Sequence, residues 1–228
     1  MKPSENSPVQ SAPPKKRILI VDDHAIVRDG LVEVLSREPD LEICGQTGDA
    51  FDALELAAST RPDLAVVDIN IGGKSGLELI KDLHVRHPLI GLLALSAHDE
   101  TLYAERVLRA GGQGYVMKSE GSARLVAAVR QVLAGGIAVS AKVSAKVLDL
   151  FSGRRSQISP VERLSDRELE IFQLIGQGKN TNEIAGDLHI STKTVEAHRV
   201  HIKEKLNIGS VSALISFAAR WLETDGCD

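Results

Sequence analysis

Apolar residues along this 228-residue chain follow two rhythms, and the first gives way to the second beyond residue 138. Up to that point, short apolar runs at 17–21, 41–46, 64–68, 91–96 and 114–117 alternate with amphipathic stretches at about 25–37, 50–60, 76–86, 100–110 and 122–134. Runs of that length read as buried strands, and the stretches between them keep helical spacing. Five β-α units in succession predict a doubly wound parallel sheet with helices on both faces, an α/β fold. Gly and Pro punctuate the gaps, at Pro39, Pro62, Pro88, Gly111-Gly112 and Gly135-Gly136.

Residues 139–151 keep helical spacing, and Ser152 to Pro160 reads as a linker. From Leu164 onward only short helices are predicted. Ser165-x-x-Glu168 is a capping box, Gly176 and Gly178 end its helix, and Asn180-x-x-Glu183 opens a shorter helix. After a turn at His189-Ile190-Ser191, a longer helix runs from Thr192 to about Leu206, and a last one from about Ser212 to Leu222. Helix, tight turn and longer helix within some 25 residues is the helix-turn-helix pattern. The expected organisation is an arm at 1–16, an α/β domain at 17–138, a helical tail and linker at 139–162, and a small all-α domain at 163–226.

Composition narrows the setting. Apolar residues make up 43% of the chain, enough for ordinary cores, and no apolar run is long enough to span a membrane. The arm is rich in Ser, Pro and Lys and lacks the apolar stretch of a signal peptide. Two cysteines, Cys44 and Cys227, are too few for a disulfide framework, so a cytosolic protein is expected. The net charge of −4 announces no nucleic-acid partner, so any basic surface must be local.

The chemistry sits where the strands end. In a parallel sheet all strands deliver their last residues to one rim, where such folds hold their sites. Here that rim receives Asp22 and Asp23, Asp68, Ser96 and Lys118 from four different runs. Three carboxylates supply hard oxygen ligands of the kind Mg²⁺ prefers, with the backbone carbonyl of Asn70 as a further ligand. A carboxylate can also attack phosphorus, giving an aspartyl phosphate. Lys118 and Mg²⁺ would offset charge on the transferring group, and the Ser96 hydroxyl would donate to one of its oxygens. Taken singly these residues are turn, cap or surface residues; their convergence points to a site. His24 is expected to start the first helix and Arg28 to be a surface or interface residue.

Ile20-Val21-Asp22-Asp23-His24, Val67-Asp68-Ile69, Leu95-Ser96-Ala97 and Gly114-Tyr115-Val116-Met117-Lys118-Ser119 resemble the receiver domain of two-component response regulators. The resemblance implies that Asp68 is the phospho-acceptor, that Asp23 ligates Mg²⁺ directly with Asp22 acting through water, and that Ser96 and Tyr115 form a switch pair. On activation Tyr115 would turn inward. One departure is Gly72, where a proline is usual; with Gly73 it makes a more mobile loop.

In the second half, Val195, Ile202 and Leu206 share the packed face of the long helix, with His198 and Arg199 on its flanks. Lys193, Ala197, Val200 and Glu204 fall opposite, flanked by Glu196 and His201. The start of that outward face is where a recognition helix meets base edges. Lys179, Asn180 and Thr181 are expected to hold a DNA phosphate at the preceding helix start. Residues 159–228 carry 8 Lys and Arg against 11 Asp and Glu, a net of −3, whereas 191–205 carry a net of +2. DNA affinity leans on phosphate contacts, so two copies of a small patch are needed.

Leu164-Ser165-Asp166-Arg167-Glu168, Asn182-Glu183-Ile184-Ala185, Ile190-Ser191, Thr194-Val195, His198 and Lys205-Leu206 are similar to the LuxR-type helix-turn-helix of NarL/FixJ response regulators. By position, residues 196, 197 and 200 would face bases, with Lys193, Thr194, His198, Arg199, His201 and Lys203 around them. Glu196 stands where some relatives have Lys. It is either an acceptor for a cytosine amino group or a solvated flank charge. His198 reads as a packing and phosphate-contact residue, because no partner His or Cys is placed to complete a tetrahedral metal set. Val211 replaces a residue that is often basic or polar.

Together the two resemblances imply a regulator, not an enzyme. A sensor histidine kinase would load Asp68, the restrained DNA-binding half would be released, and two copies would pair through Val211, Leu214, Ile215 and Ala218 on promoter DNA. Two rivals stay open. One is a phosphate-accepting protein-interaction module that has lost DNA binding; the other binds DNA without phosphorylation.

Overall fold

A computed structural model describes residues 14–71, 75–97, 100–151 and 159–225. Its sheet has five strands, β1 (Lys16–Val21), β2 (Leu41–Thr47), β3 (Leu64–Asp68), β4 (Gly91–Ser96) and β5 (Gly114–Met117), in the order β2-β1-β3-β4-β5. All pairings are parallel. Five helices connect or follow them: α1 (Ala25–Ser36), α2 (Ala50–Thr60), α3 (Gly76–Arg86), α4 (Glu100–Arg109) and α5 (Ser122–Leu133). The expected elements agree within a residue or two. The N-terminal arm to residue 13, the Gly72-Gly73 loop and linker residues 152–158 lie outside the described residues.

Alternation along each strand splits the core in two. Ile18, Ile20, Leu64, Val66, Leu93, Leu95 and Val116 pack with residues of α1 and α5. Leu19, Val21, Ala65, Val67, Leu92, Ala94 and Tyr115 face α2, α3 and α4. Successive side chains leave a strand on opposite faces, so a run without polar residues is what a sheet covered on both sides requires. β2 is an edge strand, and its register slips by one residue opposite Ile18 and Leu19, at Cys44. The Cys44 thiol donates to the Ile18 carbonyl and is half-buried there.

The α-helical tail α6 (Ala141–Phe151) leads to a 3₁₀ turn at Pro160–Arg163 and then to α7 (Asp166–Gly176), α8 (Thr181–Asp187), α9 (Thr192–Leu206) and α10 (Val211–Asp225). Local chemistry sets these helices. Ser165 and Glu168 cap α7 reciprocally, Asn180 and Glu183 cap α8, and the Ser191 side chain accepts from the Thr194 N–H at the start of α9. Asn207 ends α9 in the left-handed conformation. Phe172 of α7 packs on Phe217 and Trp221 of α10, with ring centroids 5.9 and 5.4 Å apart.

The apolar core beneath α2–α4 runs on without a break into this helical half. Tyr103, Ala104 and Val107 of α4 and Val143 of α6 belong to one cluster with Val161, Leu169, Phe172 and Ile175. The buried Tyr103 hydroxyl donates to Gln173 Oε1 of α7 at 2.7 Å. Arg106 pairs with Asp166 at 2.7 Å and donates to the Glu162 carbonyl. Nothing in the sequence pattern announced this seam.

One glycine holds β3 close to its following helix. A Cβ on Gly76 would lie 2.0 Å from the Asp68 carbonyl oxygen and 2.7 Å from the Ile69 Cα. The Gly76 N–H donates to the Ile69 carbonyl at 2.8 Å. Both obstacles are backbone, so α3 or the end of β3 must move to admit a methyl group. Gly76→Ala is expected to cost about 3 kcal/mol or more in urea unfolding, the upper range for overpacking. A cost below about 0.5 kcal/mol would show that this approach is not tight.

Candidate functional site

The carboxyl ends of β1, β3, β4 and β5 form one rim because parallel strands share one direction. Asp22 follows β1, Asp68 ends β3, Ser96 ends β4 and Lys118 follows β5. Asp22, Asp68 and Ser96 are buried, Asp68 with 3% of its surface exposed. Lys118 Nζ donates to Asp22 Oδ2 and to Asp68 Oδ2, each at 2.7 Å. The other oxygens are also engaged: Asp22 Oδ1 accepts from the His24 N–H at 2.9 Å and Asp68 Oδ1 from the Asn70 N–H at 3.2 Å. Asn70 itself stands exposed at the rim.

Two residues assigned a bland role turn out to brace this site. Arg28 Nη1 donates to the Asp22 carbonyl at 2.6 Å, tying α1 to the end of β1. His24 does open α1, as expected, and its Nδ1 also lies 2.6 Å from Asp23 Oδ1. The i, i+4 spacing of His24 and Arg28 was the signal: both fall on the face of α1 that looks back to the rim.

Asp22, Asp23, His24 and Asp68 each offer a ligand atom within 4.8 Å of the others. Three carboxylates converge there, and their oxygens are the hard donors that Mg²⁺ takes. The residues therefore fit such an ion.

Tyr115 departs from expectation. It is already buried, in one cluster with Tyr103, Ala104 and Val107, so no inward turn remains to be made from this arrangement. A second cleft-forming element was not foreseen either. Asp23, His24, Asn70 and Ile71 share a cleft of about 350 Å³ with Arg167, Glu170, Gln173 and Lys179 of the helical half.

In that half, Val195 and Ile202 are buried while Lys193, Thr194, Glu196, Ala197, Val200 and His201 are exposed, as the helical spacing predicted. Lys203 is half-exposed beside them. The proposed phosphate seat before α8 is filled from within. Asn180 Oδ1 accepts from the Asn182 and Glu183 N–H groups, Lys179 pairs with Asp187, and the Thr181 hydroxyl is bonded to Glu196. Lys179 moreover lines the cleft toward Asp23. Leu214 and Ala218 are also corrected: both are fully buried, and α10 approaches α7 so closely that a Cβ on Gly176 would lie 2.7 Å from the Ala218 carbonyl oxygen. Those two residues serve the fold of one copy, which leaves Val211 and Ile215 as the exposed pair.

His198 does have a possible partner set, contrary to expectation, since Glu168 and His201 come within ligand distance of it. Lys205 Nζ, 2.6 Å from Glu168 Oε2, already supplies the positive charge at that cluster. Burial holds the His198 imidazole below its usual pKa.

Burial pushes the Asp68 carboxyl from 3.8 up to about 6; the Lys118 ammonium pulls against this and the Asp22 charge adds to it. Burial also works against the Lys118 ammonium, but Asp68 and Asp22 outweigh it and hold Lys118 above its usual pKa. Because folding tightens the hold of Asp68 on its proton, the penalty from this group is absent below about pH 4 and complete above about pH 6. Asp68→Asn is accordingly expected to unfold about 1–3 kcal/mol less readily than the parent at pH 8 without divalent cations, from roughly 1.4 kcal/mol per pKa unit. The gap should close toward pH 4 in urea titrations, and a gap independent of pH would contradict this account.

Comparison with known proteins agrees with this geometry. The response regulator receiver domain family matches residues 18–130, and the bacterial regulatory proteins of the luxR family match residues 162–218. The oxygen regulatory protein NreC of Staphylococcus carnosus is 34% identical over 90% of this chain and 97% of its own length. A LuxR-family two-component response regulator from Aurantimonas is 31% identical, over 60% of this chain and 99% of that one, with a TM-score of 0.56. RcsB of Salmonella enterica, solved on promoter rprA with the phosphomimetic BeF3-, superposes over 90% of this chain and 98% of that one, with a TM-score of 0.62 and 22% identity. The chain therefore belongs to the response regulators of the NarL/FixJ type, which join a receiver domain to a luxR-family helix-turn-helix.

Proposed function

We propose that this protein is a transcription regulator gated by phosphorylation of Asp68, with a sensor histidine kinase as donor and promoter DNA as target. The observation that carries the reading is the Lys118 ammonium held 2.7 Å from both Asp22 and Asp68 at a rim fed by four strands. Asp22, Asp23, Asp68 and the Asn70 carbonyl would hold Mg²⁺, which when bound offsets charge on the phosphoryl oxygens. An oxygen of Asp68 attacks phosphorus, the bond from phosphorus to the donor imidazole breaks, and that nitrogen keeps the electron pair and takes a proton. Lys118 then turns its charge to the new phosphoryl group, and Ser96 donates to one of its oxygens.

The domain limits that suit this reading are 17–138 for the receiver and 163–226 for the DNA-binding half. Gating works through the seam between them. In the docked arrangement the reading face of α9 stays exposed, so docking does not act by covering it. What docking holds is the α4 face, through Tyr103–Gln173 and Arg106–Asp166. Phosphorylation remodels the rim next to α4 and loosens that hold; two copies then pair, with Val211 and Ile215 exposed for contact. The state of RcsB solved on a promoter with a phosphomimetic is consistent with this sequence of events.

Asp68→Ala should retain no labelled phosphate after incubation with a small phosphodonor and Mg²⁺, while its circular dichroism stays that of the parent. Label retained by the variant would place the acceptor elsewhere. The double variant Tyr103→Phe, Arg106→Ala removes the buried Tyr103–Gln173 bond and the half-exposed Arg106 contacts to Asp166 and Glu162, on the order of 1–3 kcal/mol together. Roughly a tenfold rise in dimer or promoter affinity without phosphorylation is expected, and unchanged affinity would mean the seam does not restrain activation.

A further inference from the structure

We infer that Glu196 determines base specificity by accepting a hydrogen bond from a cytosine amino group, and that Thr181 and Arg199 position it. The inference rests on the DNA-binding reading above. Glu196 is the fifth residue of α9, exposed on the flank of the outward face that carries Lys193 and Val200. The N-terminal part of such a helix is the part that reaches base edges.

Its carboxylate is not a loose surface charge. The Thr181 hydroxyl of α8 donates to Glu196 Oε1 at 2.6 Å, and Arg199 Nη1 donates to the same hydroxyl at 2.7 Å. Arg199 Nη1 also lies 3.5 Å from Glu196 Oε1. A hydroxyl has one proton, so the direction is fixed: Arg199 gives to Thr181 and Thr181 gives to Glu196. The guanidinium is enclosed, with 11% of its side chain exposed, while the Glu196 side chain is 58% exposed. A fixed cation thus lies behind an anion that faces outward.

Each feature matters for reading DNA. An isolated carboxylate facing a groove lined by phosphates is repelled, and the guanidinium behind it offsets that repulsion. The brace also fixes the side chain before DNA arrives, which removes part of the ordering cost of binding. Among the described residues Glu196 Oε2 accepts no hydrogen bond, so it keeps its lone pairs for a partner. A carboxylate can only accept. In the major groove cytosine offers its N4 amino group, guanine offers two acceptors at N7 and O6, and thymine offers the O4 acceptor. Adenine pairs its amino group with an adjacent N7 acceptor, which a carboxylate opposes. Cytosine is the base that fits.

The test is in vitro selection from a random duplex library by the full-length protein with BeF3- and Mg²⁺, alongside Glu196→Gln, Thr181→Val and Thr181→Ser. The parent should enrich cytosine at one position of each half-site. Glu196→Gln should lose that preference roughly tenfold, or move it to adenine, which a glutamine can hold bidentately, and leave the other positions unchanged. Thr181→Val should weaken discrimination at the same position alone, and Thr181→Ser should restore it. An identical motif from parent and Glu196→Gln would overturn the assignment and leave Glu196 as a brace within the helical domain. No motif from any folded protein would instead overturn the DNA-binding reading beneath it, so the two failures are told apart.

Discussion

One ammonium between two buried carboxylates organises this molecule. Asp22 and Asp68 end neighbouring strands, and without Lys118 their charges would repel in a place that water barely reaches. Asp23 brings a third carboxylate to the same rim, with donor oxygens close enough to those of Asp22 and Asp68 to share one ion. A site so charged is ready for a divalent cation. The raised pKa of Asp68 records the cost of keeping a charged carboxylate buried there.

The rim is rigid because it is built on strand ends, and it is connected because its surroundings are shared. α1 ties to it through Arg28 and His24, α3 starts against the Asp68 carbonyl at Gly76, and α4 lies between the sheet and α7. A change in charge at Asp68 therefore has a short packed route to the seam at Tyr103 and Arg106. Interfaces of this kind shift between discrete arrangements because packed cores do not deform smoothly. On the proposed gating, anything that loosens the seam would by linkage also favour what phosphorylation favours.

The DNA-binding half meets its target with an unfavourable overall charge, and the structure shows how the charges are spent. Lys179 is paired to Asp187, Lys205 to Glu168 and Arg167 to Glu170, all within the fold. That leaves Lys193 and Lys203 near the reading face, too few for strong phosphate-driven affinity from one copy. On the proposed reading, sequence discrimination comes from groups that are held in place, and from two copies doubling the site.

The sequence by itself determined the elements and the rim where the carboxylates converge. Two-residue alternation in a sheet covered on both faces leaves continuous apolar runs, and parallel strands must deliver their last residues to one side, so Asp22, Asp68, Ser96 and Lys118 were legible without coordinates. The capping boxes and the packed and exposed faces of α9 were legible for a similar reason, since they depend on neighbours three or four residues apart. Tertiary structure alone decided what depends on distant partners. That Leu214 and Ala218 face α7, that Tyr115 is already inside, that Lys179 pairs with Asp187, and that Glu196 is braced through Thr181 by Arg199 all follow from which helix packs on which. A helix pattern says which face is apolar. It does not say whether that face is covered by its own chain or by a second one.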